Sequence, residues 1–184
     1  MIRLIDIILS VFGLMIVLPL IFVLAIFLFF DTGSPFYLQT RVGYQKKCFT
    51  LIKLRTMHRD TESIATHLAN PAAVTKLGGI LRRTKLDELP QLWNVLIGQM
   101  SLVGPRPCLP SQLELINERD IRGVFDARPG ITGLAQIYHI NMSTPKLLAE
   151  VDEKMLKHLT LLTYFGYVLK TIAGKGSGDW TREG

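Results

Sequence analysis

Two adjacent carboxylates, Asp87 and Glu88, follow closely on Arg82, Arg83 and Lys85. Cations at that spacing favour the ionised form of both acids, and an ionised aspartate can act as a nucleophile or hold a divalent ion. The plainer alternative is local: Asp87 caps a helix and Glu88 complements its dipole. Further on, Arg106 stands between Pro105 and Pro107. Two restricted backbone positions can hold a guanidinium still, and its planar fork of donors matches a phosphate. A solvent-facing loop arginine is the alternative there.

The charge around these residues is uneven. Ten cations lie between Arg41 and Lys85, opposed only by Asp60 and Glu62, so this stretch carries more positive charge than the whole chain, whose net is +6. Such a block suits anionic lipid head groups, a pyrophosphate or nucleic acid, or is a solvated basic face beside a membrane. No helix-turn-helix, ribonucleoprotein or zinc-finger pattern accompanies it, so nucleic acid is not an expected partner. The four histidines form no ligand pair on one helix face, and Cys48 and Cys108 lack a paired metal spacing. Both a zinc centre and a disulfide framework are therefore set aside, and a reducing, cytoplasm-facing compartment fits.

The elements that must hold these groups can be read from periodicity. In LDELPQLWNVLIG, the residues Leu89, Leu92, Trp93 and Leu96 recur at helical spacing, with Gly98 as a stop. Pro90 is tolerated only in a first turn, so the helix is predicted to begin near Asp87, with both carboxylates at its start. The runs FYLQTRVG and CFTLIKLRTM around Gly43 to Lys47 predict a small hairpin. The polar stretch from Asp60 to Ala73 predicts a helix and then a loop at Asn70 and Pro71. Ser111 and Glu114 have capping-box spacing, predicting a helix from Ser111 to Arg122. From Arg128 to Tyr138, RPGITGLAQIY reads as a turn and a short strand. Beyond Pro145 one helix is expected to about Ala173, where Tyr164, Phe165 and Tyr167 suit either a bilayer interface or the domain core. Residues 174–184 read as a loosely ordered tail.

From Ile7 to Phe30 no side chain is charged, and at ~1.5 Å per residue a straight helix of this length would reach across a hydrocarbon core of ~30 Å. Pro19 near its middle removes a backbone donor and favours a kink. A spanning helix would put the chain after Phe30 in the cytoplasm by the positive-inside rule. A sharply kinked one would enter and leave by one face, with Ser10 or neighbouring groups satisfying the break. At 184 residues, the chain accommodates one domain besides this segment. The fold class expected is α+β, mainly helical, with short strands.

Together, RVG, FTLIKLRTM, LRRTKLDELPQLWNVLIGQMSLVGPRP and RPGITGLAQI occur in a characteristic order over almost the whole chain. In these motifs the chain resembles the bacterial sugar transferases, the monotopic phosphoglycosyl transferases that begin lipid-linked glycan assembly. The resemblance implies that Asp87 is a covalent nucleophile toward the β-phosphate of a UDP-sugar, releasing UMP. A polyprenyl phosphate, expected to be undecaprenyl phosphate, would then take the phospho-sugar. Glu88 would help Asp87 bind Mg²⁺ or assist deprotonation, and Lys53, Arg82, Arg106 and Arg128 would contact phosphate. The resemblance also implies a re-entrant membrane helix over 1–31, broken at Pro19, and a cytoplasmic catalytic domain over 32–173 at the bacterial inner membrane. Leu18 stands where a serine usually precedes that proline. Downstream glycosyltransferases would consume the product; the sequence specifies neither the sugar nor the oligomeric state. A catalytically silent membrane scaffold would need none of Lys53, Arg82, Asp87, Glu88 or Arg106.

Overall fold

The computed structural model describes residues 1–59 and 71–176. The helix expected from Asp60, the loop at Asn70 and most of the tail lie outside the described residues.

Helix α1 (Ile2–Thr32) starts earlier than the uncharged run because both charged residues before Ile7 have partners inside the protein. Arg3 donates to the Val95 and Leu96 carbonyls at 2.6 and 2.8 Å. The buried Asp6 carboxylate accepts from Ser101 Oγ at 3.0 Å, Leu102 N–H at 2.9 Å and the Tyr164 hydroxyl at 2.6 Å. At the other end Gly33, with φ 72°, donates its N–H to the Phe29 carbonyl and closes the helix in a left-handed cap.

Pro19 does not interrupt α1, which continues on both sides of it, so the expected break is not an end of the helix. A proline inside a helix costs about 3 kcal/mol. Val17, Ile21, Leu24 and Leu28 flank it and pack with Leu54, Leu77 and Leu81, and burying one such side chain contributes about 1.5–3 kcal/mol. That packing outweighs the lost bond. Ile2, Ile5 and Leu9 pack in turn with Val103, Met155 and Tyr164, and Gly13 faces Leu92. These positions recur every three or four residues, so a single stripe runs along the domain from end to end. The opposite side exposes Phe12, Met15, Ile16, Phe22 and Phe30, and α1 is long and apolar enough to cross a membrane.

The hairpin is present as expected: β1 (Phe36–Val42) pairs antiparallel with β2 (Cys48–Leu54), Phe36 opposite Leu54 and Val42 opposite Cys48. Helix α2 (Lys76–Thr84) is capped by the Thr75 hydroxyl, which accepts from Gly78 N–H. Gly78 lets α2 approach the chain leaving β2, since a Cβ there would lie 2.1 Å from the Thr56 carbonyl oxygen. A 3₁₀ turn (Leu86–Glu88) and helix α3 (Gln91–Leu96) follow. Helix α3 therefore starts later than predicted, and the carboxylates lie in the 3₁₀ turn before it. Pro90 has no N–H to close a helical bond, and Leu89, Leu92 and Trp93 bond three residues back.

Strand β3 (Ser101–Val103) pairs in parallel with β4 (Gly130–Thr132). Helix α4 (Leu113–Ile121) begins two residues later than expected, because Ser111 does not cap it and Gln112 Oε1 instead accepts from Leu109 N–H. Short α5 (Leu134–Ile137) follows β4 where only a turn and strand were expected. The single helix expected after Pro145 is two, α6 (Pro145–Lys157) and α7 (Leu161–Ile172). Thr160 and Thr163 form a reciprocal capping box that starts α7 afresh. The core reading holds for Tyr164, which is wholly buried, and for Tyr167, which packs against the same cluster, whereas Phe165, Leu162, Leu169 and Ile172 are exposed. The fold is mainly helical with short strands, and both cysteines are free.

Candidate active site

The turn carrying Asp87 and Glu88 is held from three sides. Lys85 enters it in the left-handed region at φ 57°, a conformation that costs a non-glycine residue about 1–2 kcal/mol. On one flank, Asn94 of α3 accepts from Ile52 N–H at 3.2 Å and donates to the Thr50 carbonyl at 2.8 Å, fixing β2 and hence Lys53 against the turn. On the other, Gly104 brings the Pro105–Pro107 loop against β4, where a Cβ would lie 2.4 Å from the Arg128 carbonyl oxygen.

Four successive carbonyls of that loop each receive a donor. Pro105 O accepts from Gly130 N–H at 2.9 Å, Arg106 O from Arg119 at 2.8 Å, Pro107 O from Arg41 at 3.0 Å and Cys108 O from Val42 N–H at 2.9 Å. A backbone tied at every carbonyl presents the Arg106 side chain in one direction. That direction is Glu88: its Oε1 accepts from Lys53 Nζ at 2.9 Å and Arg106 Nη2 at 3.1 Å.

Asp87 and Glu88 are thereby driven apart in acidity. Burial opposes the charge on Glu88, but Lys53, Arg106 and Lys85 outweigh it and hold this carboxyl well below the usual carboxylate range. Burial pushes the Asp87 carboxyl up to about 6 against the pull of Lys53; the Glu88 charge adds to the rise, while Arg82 and Arg106 oppose it. Neighbouring cations favour the ionised form of both acids, as expected, but at Asp87, only 8% exposed, burial outweighs them and the carboxyl gives up its proton later than an ordinary aspartate. Adjacent groups with divergent acidities mark a division of roles. Glu88 anchors cations, and Asp87 is the more basic carboxylate of the two.

The predicted phosphate ligands separate in space. Lys53 and Arg106 meet at Glu88, and Arg82, whose Nε donates to Thr56 Oγ1 at 2.8 Å, is close enough to favour the Asp87 charge. Arg128 makes its contacts elsewhere, donating to Gly98 O at 2.9 Å and lying over the Tyr44 ring at 5.4 Å. Two carboxylates fit Mg²⁺, which commonly takes one or two such groups together with substrate phosphates and water. No cluster of three or more His, Cys, Asp or Glu able to hold a metal occurs among the described residues.

The sequence pattern of the bacterial sugar transferases matches residues 1–175. The chain belongs to this family. It is similar to the sugar transferase EpsL of Bacillus subtilis, 45% identical over 121 residues, covering 65% of this chain and 59% of EpsL. It is 34% identical over 185 residues to the exopolysaccharide production protein ExoY of Sinorhizobium fredii, covering 91% of this chain and 81% of ExoY. A UDP-glucose:undecaprenyl-phosphate glucose-1-phosphate transferase of Caulobacter vibrioides is 41% identical over 124 residues, covering 65% of this chain and 46% of that protein. The phosphoglycosyl transferase class expected from the motifs is the enzyme class of such relatives.

In this sugar transferase the residues that sequence reasoning passed over are the supports. Arg41 was one cation among ten, Arg119 and Asp152 were unremarked helix positions, and Asn94 was a polar residue between apolar ones. Each is buried. Asn94, in the middle of an otherwise apolar helix, carried a usable signal, since a buried amide must find partners. Nothing local distinguishes Arg119 from the exposed cations, because its partner Asp152 is distant in sequence.

Proposed function

We propose that this sugar transferase moves a sugar 1-phosphate from a UDP-sugar to a polyprenyl phosphate, undecaprenyl phosphate being the acceptor class named for a relative. The observation that carries the reading is the buried, poorly acidic Asp87 beside a Glu88 already committed to Lys53 and Arg106. An Asp87 oxygen attacks the β-phosphorus of the donor, the bond from that phosphorus to the bridging oxygen breaks, and UMP leaves with the electron pair. An oxygen of the lipid phosphate then attacks the same phosphorus, the Asp87–phosphorus bond breaks, and the product is a polyprenyl diphosphate sugar. Sequential attack separates the soluble donor from the lipid acceptor in time.

Lys53, Arg82 and Arg106 supply the fixed positive charge that phosphoryl transfer needs. Mg²⁺ held by Asp87 and Glu88 would neutralise charge on the diphosphate oxygens. Of the roles expected of Glu88, holding cations suits it better than deprotonation, since a carboxylate held so far below its ordinary range is a weak base. Arg128, whose Nε is held by Gly98 O, would reach phosphate through its terminal guanidinium nitrogens.

For the membrane, the reading favoured is a helix that enters and leaves through the cytoplasmic face of the inner membrane. Arg3 at one end of α1 and Leu28 at the other both contact the same domain, whereas a spanning helix would carry its ends to opposite faces. The exposed apolar side of α1 and the exposed leucines of α7 then meet lipid. The product would feed downstream glycosyltransferases in surface glycan assembly.

Membranes bearing the protein, supplied with undecaprenyl phosphate, Mg²⁺ and a panel of UDP-sugars, are expected to release UMP with at least one donor. UMP release with none of them overturns the reading. The rate should also fall in acid. Protonated Asp87 cannot attack, so kcat/KM is expected to rise with pH through about 6 and then level. Because the folded state holds this proton longer than the unfolded chain, ionising Asp87 also lowers stability between its ordinary value of 3.8 and about 6. An acid limb centred near 4, the ordinary aspartate value, would remove burial of Asp87 from the mechanism.

A further inference from the structure

Among the described residues, Arg41 and Arg119 are the two arginines buried to under a tenth of their surface, and they are neutralised differently. Arg119 Nε and Nη2 both bond the Asp152 carboxylate, at 3.0 and 2.7 Å. Arg41 has only neutral acceptors: its Nε and Nη2 donate to Gln39 Oε1 at 3.0 and 2.5 Å, and its Nη1 donates to Pro107 O. Among the described residues no carboxylate lies within ion-pair distance of it. Burial and the nearby Arg106 charge lower its pKa to about 10, so it is charged throughout the physiological range. Arg106 is the strongest of the groups it senses, followed by Tyr37, Cys108 and Glu88, and Arg106 and Glu88 belong to the active site.

We infer that Arg41 is a positioning residue for substrate, a buried cation whose counter-charge is the diphosphate of the bound donor and which also fixes the Arg106 loop. Buried charges are normally paired within the protein, and at Arg41 an arriving anion would complete the pairing. Lys53, Arg106 and Arg41, with Arg82 and Lys85 nearby, outnumber the two carboxylates Asp87 and Glu88, which leaves a net positive potential for a polyanion. Gln39 is the telling neighbour. A neutral amide accepts both bonds where a glutamate of nearly the same shape would neutralise the guanidinium, and the positive charge at the site is thereby preserved. The inference rests on the diphosphate-donor reading above.

Gln39→Glu separates charge from packing. The new carboxylate keeps the acceptor geometry and pairs with Arg41 while losing the amide donor, so the variant is expected to remain folded, as a thermal melt checks. It should nevertheless bind inorganic pyrophosphate and UMP about tenfold more weakly, as measured by calorimetry on the full chain in detergent, because the field at the site is reduced. With an active UDP-sugar, KM is expected to rise by a similar factor while kcat changes less. Arg41→Lys retains the charge without the fork and is expected to keep pyrophosphate binding within about threefold. If Gln39→Glu fails to fold, Arg41→Met provides the charge-free comparison, with weaker pyrophosphate binding than Arg41→Lys expected. Unchanged pyrophosphate affinity in a folded Gln39→Glu protein, or equal affinities of the lysine and methionine variants, overturns the inference. The binding results are read separately from UMP release: loss of affinity in Gln39→Glu with no turnover of any donor would overturn the transferase reading and, with it, the donor role of Arg41, leaving only a cation that binds pyrophosphate.

Discussion

Asp87→Asn is expected to reduce UMP release by at least about 10³-fold while leaving the protein folded. Asparagine keeps the size of the side chain and removes the attacking anion. Burial already disfavours the negative charge at this position, so a neutral amide should cost the fold nothing and can raise its melting temperature. Glu88 retains Lys53 and Arg106, and cation placement survives. The measurement pairs the rate with intact-protein mass spectrometry after mixing with donor and Mg²⁺ alone. The parent should gain the mass of a phospho-sugar, mapped to Asp87, and the variant should gain none. A variant retaining a tenth of the parental rate would dismiss Asp87 as the nucleophile. Turnover that obligatorily binds donor and acceptor together would dismiss the covalent intermediate.

Asp152→Asn carries the second large effect. It strands the Arg119 guanidinium, 2% exposed at its side chain, without a counter-ion in the interior, which typically costs about 3–5 kcal/mol. Urea denaturation should show that loss. Activity should fall as well, because Arg119 donates to the Arg106 carbonyl and a loosened loop no longer aims Arg106 at Glu88. The pair Arg119→Met with Asp152→Leu distinguishes the two effects. Removing both charges should recover much of the stability, as apolar replacement of buried ion pairs commonly does, yet leave the Arg106 carbonyl without its donor and the rate low. Recovery of both would reduce the pair to a structural role. A loss below about 1 kcal/mol in Asp152→Asn would mean that Arg119 is not confined in the interior as described.

The division between chain and fold can be followed residue by residue. Asp87, Glu88, Lys53 and Arg106 were legible because their motifs are contiguous strings with fixed spacing, as were the apolar character of α1 and the β1–β2 hairpin, whose signals repeat over a few residues. Helix starts were less legible. The start at Gln91 rather than Asp87, and the restart at Leu161, depend on which hydrogen bonds close around Pro90 and Thr160. Local pattern alone does not settle that competition.

By itself the sequence determined the family, the identity of the acidic pair and the presence of a long apolar helix, all properties of residue type and order. Only the tertiary structure decided that Asp87 is a weak acid and Glu88 a strong one, that Arg128 binds Gly98 rather than the pair, and that Arg41 has no carboxylate partner among the described residues. Acidity and ion pairing depend on burial and on which charges lie a few ångströms away. Of the neighbours that set the two acidities, Arg82 and Lys85 are local, but Lys53 of β2 and Arg106 of the loop after β3 are remote along the chain and adjacent only once it is packed.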